Sequence, residues 1–130
     1  DSQGNLIQIN TDGEFNRVKL DLSSENYINV LNDNLVYISN NTLSIKGINV
    51  ELPPGRYSEP KIFNSNKGLL IGTSDLSKDR IYLYDDKGKL INGFPLEEGS
   101  SIDLVDSDKD GKLEIISKMK KYSVVSYEIN

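Results

Sequence analysis

The chain has 130 residues, 36% of them apolar and 27% charged, which suffices for one soluble core and not for two. Its lack of His and Cys excludes Ser/His/Asp triads, thiolate nucleophiles, zinc sites built from those residues, and disulfides. A formal net charge of -5 speaks against nucleic acid as a partner, because phosphate binding needs a concentrated basic surface.

The chain also lacks Ala, the best helix former, and carries 14 Ile and 14 Asn. That is a composition of strands and turns, and an all-β protein is expected. No apolar run approaches the roughly 18 residues of a membrane span, and residues 1–20 lack a signal-peptide profile, so no membrane insertion is expected.

Taken in chain order, Leu6 to Phe15 reads as a strand, a polar turn bearing Gly13, and the start of a second strand. Ile28 to Ile38 reads as a hairpin around Asn32-Asp33-Asn34, and Leu43 to Ile48 as a shorter strand, turn and strand. After the connection Pro53-Pro54-Gly55-Arg56-Tyr57, a second hairpin spans Lys61 to Ile71, and Ile81 to Leu90 repeats the Leu6 to Phe15 pattern without gaps. A third hairpin runs from Ile102 to Ile116, and Val124 to Glu128 is the last strand. The anchors Leu6, Leu43, Ile81 and Val124 lie 37, 38 and 43 residues apart.

Four short antiparallel strands, a to d, within about forty residues are the measure of a β-propeller blade. The expectation is one repeat domain over 1–130, a partial propeller of about three blades. It comprises a partial blade at 1–22 (strands c and d), blades at 26–53 and 58–97, and a last blade at 100–130 with strands a, b and c. A β-sandwich or barrel satisfies the same strand count. A chain opening at strand c suggests a C-terminal fragment of a longer propeller protein. Its open edges would be covered by N-terminal blades or by a second copy in a homo-dimer.

One stretch carries chemistry. Asp106-Ser107-Asp108-Lys109-Asp110-Gly111-Lys112-Leu113-Glu114 places carboxylates at loop positions 1, 3, 5 and 9, with Gly at 6. Ca²⁺ takes six to eight oxygen ligands at about 2.3–2.6 Å, and alternate residues of a tight loop can all turn inward around it. Asp106, Asp108, Asp110 and Glu114 are the candidate side-chain ligands, and Lys112 would add its backbone carbonyl. An EF-hand needs a bidentate Glu at position 12, where this chain has Ser117, so this is not an EF-hand. The plain alternative is a solvated acidic turn, with Lys109 offsetting part of its charge.

A nine-residue loop of this kind between strands a and b resembles the calcium hairpins of FG-GAP and VCBS repeats, the propeller blades of integrin α-chains and many bacterial surface proteins. Asn92-Gly93-Phe94-Pro95-Leu96 and Leu113-Glu114-Ile115-Ile116 are also similar to that class. The likeness is best over residues 81–130. Asn64-Ser65-Asn66-Lys67-Gly68 is one residue shorter and lacks the carboxylates, and Asn32-Asp33-Asn34 is shorter still. The resemblance implies a structural calcium ion, not a catalytic one, and an extracytoplasmic location.

The remaining polar groups have simpler readings. Asp85-Asp86-Lys87-Gly88 is a hairpin turn between strands c and d. Asp75, Asp79 and Arg80 fall in a polar loop between strands b and c, where charged tips are usually solvated. Arg56 and Tyr57, in the connection between two blades, have the composition of a recognition loop for sugar or protein, an exposed Tyr beside an Arg. Tyr27, Tyr37, Tyr82, Tyr84, Tyr122 and Tyr127 fall mostly within strands and would pack between blades. Lys118, Lys120 and Lys121 form too short a basic turn for nucleic acid.

The expected function is therefore a non-catalytic, calcium-stabilised scaffold or binding module for protein or carbohydrate. The competing expectation is a carboxylate-based glycoside hydrolase, or part of a larger propeller enzyme, with Asp79 and Asp103 as the acids to test. A purely structural oligomerisation module is a third.

Overall fold

A computed structural model describes residues 4–20, 22, 27–106, 108–110, 112–119 and 124–129. Among them there are strands and turns and no helix. A two-stranded hairpin comes first, β1 (Asn5–Ile9) with β2 (Phe15–Lys19). Next is a four-stranded antiparallel meander of β3 (Tyr27–Leu31), β4 (Asn34–Ser39), β5 (Thr42–Ile45) and β6 (Ile48–Glu51). A second meander contains β7 (Lys61–Ser65), β8 (Gly68–Asp75), β9 (Arg80–Asp85) and β10 (Leu96–Glu97). The last sheet is three-stranded, with β11 (Gly99–Val105), β12 (Glu114–Met119) and β13 (Val124–Glu128). The chain is all-β, and two of its four sheets are the four-stranded antiparallel units that the repeat predicts.

Turn chemistry sets the register. Asn32 and Asp33 both have positive φ (47° and 62°) between β3 and β4, and Lys46 and Gly47 (52° and 85°) do the same between β5 and β6. Two left-handed residues in succession match the twist of a two-residue hairpin, and Asn, Asp and Gly tolerate that region best. The first copy of the repeat and its partner share a turn. Asn10 Oδ1 accepts from the backbone N–H of Asp12 and Glu14, and Asp85 Oδ1 accepts from that of Lys87 and Lys89. Gly13 and Gly88 then close the two loops at φ 81° and 78°.

Two separate cores join three of the four sheets, one on each face of β7–β10. On one face Ile71, Tyr82 and Tyr84 pack with Val36, Ile38, Leu43 and Ile45 of β4 and β5. On the other, Leu70, Ile81 and Leu83 pack with Ile102 and Ile115 of β11 and β12. The run Ile81-Tyr82-Leu83-Tyr84 is consequently buried at every position, as expected of a strand covered on both sides. The central sheet therefore carries a core on each face, where a simple two-sheet sandwich would enclose one.

The last sheet approaches the central one closely because two glycines lie at the contact. A Cβ on Gly72 would fall 2.8 Å from Ile102 Cδ1, and one on Gly99 would fall directly against Ile81. Overpacking of this kind costs about 1–3 kcal/mol. Gly72→Ala is therefore expected to lower the unfolding free energy by that amount, read as a lower urea midpoint at unchanged m-value, whereas Gly47→Ala would be penalised only for its positive φ, since open space surrounds it.

The fourth strand of the central sheet departs from the repeat. Leu90 makes only an isolated bridge to Tyr84, and regular pairing resumes at Leu96–Glu97. The segment between them contains the turn closed by Phe94 N–H on the Ile91 carbonyl, and Ile91 and Phe94 pack against the core beneath. The outer strands keep apolar side chains in solvent, including Phe15 at 69% and Val124 at 68% exposure.

Candidate metal centre

The loop that follows β11 has its ends fixed by the sheet. Val105 and Glu114 are the last register pair of the β11–β12 hairpin, so Asp106 and Glu114 leave adjacent strands side by side. Asp108 and Asp110 are placed by turns of their own making. Asp108 Oδ1 accepts the backbone N–H of Asp110 at 3.1 Å, and Asp110 Oδ1 accepts that of Lys112 at 2.9 Å. Between them Lys109 takes a left-handed φ of 64°. Ser107 and Gly111, at loop positions 2 and 6, lie outside the described residues.

The outcome is convergence. One carboxylate oxygen from each of Asp106, Asp108, Asp110 and Glu114 lies within 4.8 Å of the others, and this acidic cluster could hold a metal ion. Asp108 and Asp110 face solvent, Asp106 is half-buried, and Glu114 is only 8% exposed. Strand register also brings Glu128 of β13 opposite Glu114.

Lys112 does more than its backbone carbonyl suggests. Its ammonium donates to Glu128 Oε1 at 3.0 Å and stands 3.4 Å from Asp110 Oδ2. The hydrogen bond to Glu128 and the two nearby carboxylates push the Lys112 pKa up. The Asp110 carboxyl is held below its usual range, first by the Lys112 backbone N–H and then by the Lys112 ammonium. Glu128 belongs to this constellation, although the loop spacing alone does not point to it. Its signal is a second Glu placed in register with the first, readable once β12 and β13 are paired.

The connection carrying Arg56 and Tyr57 differs from expectation. Tyr57 is 4% exposed, not solvent-facing: its ring packs edge-on against Tyr82 at 6.0 Å and its hydroxyl donates to the Pro53 carbonyl at 2.7 Å. Burial, with Tyr82 and Asp75 nearby, pushes its pKa up. The physical reason is that the connection lies beside β8, where Tyr57 bridges Asp75 and the Ser58 N–H donates to the Ser74 carbonyl. Arg56 alone of that pair is exposed. Tyr82 and Tyr84 are stacked at 6.3 Å inside the core, and burial pushes Tyr84 up to about 12. The side chain of Tyr127 and the residues Lys120, Lys121 and Tyr122 lie outside what is described.

Asp75 is not a solvated loop tip either. It is fully buried at the end of β8, and its Oδ1 accepts from the Ser77 backbone N–H at 2.9 Å and from the Ser77 hydroxyl at 2.5 Å. Lys78 reaches over it, 3.7 Å from Oδ2, and donates to the Pro54 carbonyl at 2.6 Å. A Cβ at Gly55 would fall 2.6 Å from the same carboxylate oxygen, so this close approach requires Gly. Asp75, Lys78 and Gly55 clamp the inter-sheet connection to the turn after β8. Arg80 meanwhile pairs with Glu97 at 2.9 Å.

No family model, curated protein or solved structure matches the chain.

Proposed function

We propose that this chain is a calcium-stabilised, propeller-type repeat module of the FG-GAP/VCBS kind, a non-catalytic scaffold that binds protein or carbohydrate outside the cytoplasm. The observation that carries the reading is the convergence of four carboxylates on the hairpin between β11 and β12. Two oxygens on opposite sides of one Ca²⁺ stand about 4.6–5.2 Å apart, twice the usual bond length. A spread of 4.8 Å fits a single ion of that size. Hard carboxylate oxygens without nitrogen or sulfur donors favour Ca²⁺ over transition metals.

In this reading the ion supplies no chemistry. It neutralises Asp106, Asp108, Asp110 and Glu114 and ties β11 to β12 at the rim, and Lys112 contributes its carbonyl while its ammonium balances Glu128. Arg56 is then the exposed group of the connection through which a ligand would be read, and the apolar side chains on the outer strands are where a second copy or further blades would pack.

Calorimetric titration with Ca²⁺ tests the proposal. One site that disappears in Asp108→Ala, and that Mg²⁺ fills more weakly, is the expected result. No heat at millimolar Ca²⁺ would reduce the loop to an acidic turn. Turnover of chromogenic glycosides, abolished by Asp79→Asn or Asp103→Asn, would make the chain an enzyme instead.

A further inference from the structure

We infer that Asn92 is a site of spontaneous backbone rearrangement, converting to aspartate and isoaspartate while the protein stays folded. Among the 14 asparagines, only Asn92 precedes a glycine. It occupies an exposed turn after β9, closed by the Phe94 N–H on the Ile91 carbonyl at 3.2 Å, with Gly93 at φ 90°.

The reaction needs a free side-chain amide, a free backbone nitrogen after it, and no side chain in the path. The Asn92 amide and the Gly93 N–H make no hydrogen bond among the described residues. A Cβ at Gly93 would meet nothing within 4 Å, so the turn is open from that side. Other asparagines are restrained: the amides of Asn10, Asn29, Asn34 and Asn41 donate to Glu14, Pro60, Leu31 and Pro53 respectively. Of the two Asp-Gly pairs, the chemical analogues of Asn-Gly, Asp12-Gly13 ties up the nucleophile, because the Gly13 N–H donates to the Asn10 carbonyl at 3.1 Å, and Asp110-Gly111 includes a glycine outside the described residues.

The step balances without a cofactor. The Gly93 nitrogen, losing its proton to solvent base, attacks Asn92 Cγ; the new N–Cγ bond forms as the Cγ–NH₂ bond breaks, and ammonia leaves. Water then opens the resulting succinimide at either carbonyl. Opening at one restores the normal backbone with an aspartate; opening at the other routes the main chain through Cβ and leaves a free α-carboxylate. Either product adds one negative charge to a chain of net charge -5. The isoaspartate also lengthens the main chain between Ile91 and Phe94, both of which pack against the core.

The test is a time course on the full chain in mildly alkaline buffer, folded and in guanidinium, read by peptide mapping and enzymatic isoaspartate labelling. The peptide containing Asn92 is expected to gain about one mass unit, with a transient species lighter by one ammonia, at a folded-state rate within about tenfold of the unfolded chain. Asn92→Gln, checked for folding by circular dichroism, should abolish labelling of that peptide. A folded-state rate slower than that bound, or labelling that persists in Asn92→Gln, would overturn the inference.

Discussion

Leu83→Ala is expected to lower the unfolding free energy by about 2–5 kcal/mol, the range for deleting a fully buried aliphatic side chain that its neighbours cannot replace. Leu83 is completely buried in β9 and belongs to the core shared with Ile102 and Ile115 of the last sheet. Collapse into the vacated space is resisted from behind, because Tyr82 and Tyr84 anchor the opposite face of the same strand in the other core. A domain of this size has only about 5–15 kcal/mol to lose. Urea denaturation followed by fluorescence would measure the shift, with Val124→Ala on the exposed side of β13 as the reference, expected to change stability by about 0.5 kcal/mol or less. Equal effects of the two substitutions would contradict the double-core arrangement.

The second large effect falls on Asp75. Burial opposes its charge, yet the Ser77 hydroxyl and backbone N–H and the Lys78 ammonium outweigh that cost, so its pKa lies below the usual carboxylate value. A carboxyl whose pKa falls on folding contributes stability above its unfolded value. That contribution is lost as pH drops through the folded value. Asp75→Ala leaves the Ser77 donors facing a void and should cost about 2–4 kcal/mol at neutral pH, in line with breaking a buried, charge-assisted hydrogen-bond set. The stability difference between wild type and variant should be constant near neutrality and shrink below about pH 4. Denaturant melts across that range give the answer, and a difference that grows in acid would contradict the clamp.

The strand order was readable in the sequence because its punctuation is strong. Asn32-Asp33 and Lys46-Gly47 are residue pairs that accept left-handed backbone, and they bracket apolar runs too short for helices. The match of Leu6–Phe15 to Ile81–Leu90 reflects an identical side-chain-to-backbone turn at Asn10 and Asp85. The acidic loop was equally legible, since its carboxylate spacing is local and each turn is closed by its own Asp. The features that escaped depend on contacts between distant residues. Tyr57 follows Arg56 in a Pro- and Gly-rich connection that reads as exposed, and only the edge of β8 explains its burial. Asp75 looks like a loop tip until Gly55 is found against its carboxylate, and Glu128 joins the acidic loop only through the register of β12 with β13.

Thermal unfolding of the chain in EGTA and then in increasing Ca²⁺, with Asp108→Ala beside it, bears most directly on the central claim. Saturation at about 100 times the dissociation constant should add about 2.7 kcal/mol, a rise of several degrees that Asp108→Ala abolishes while keeping the EGTA melting temperature. A wild-type melt unchanged at millimolar Ca²⁺, or an equal rise in Asp108→Ala, would contradict the calcium-stabilised blade.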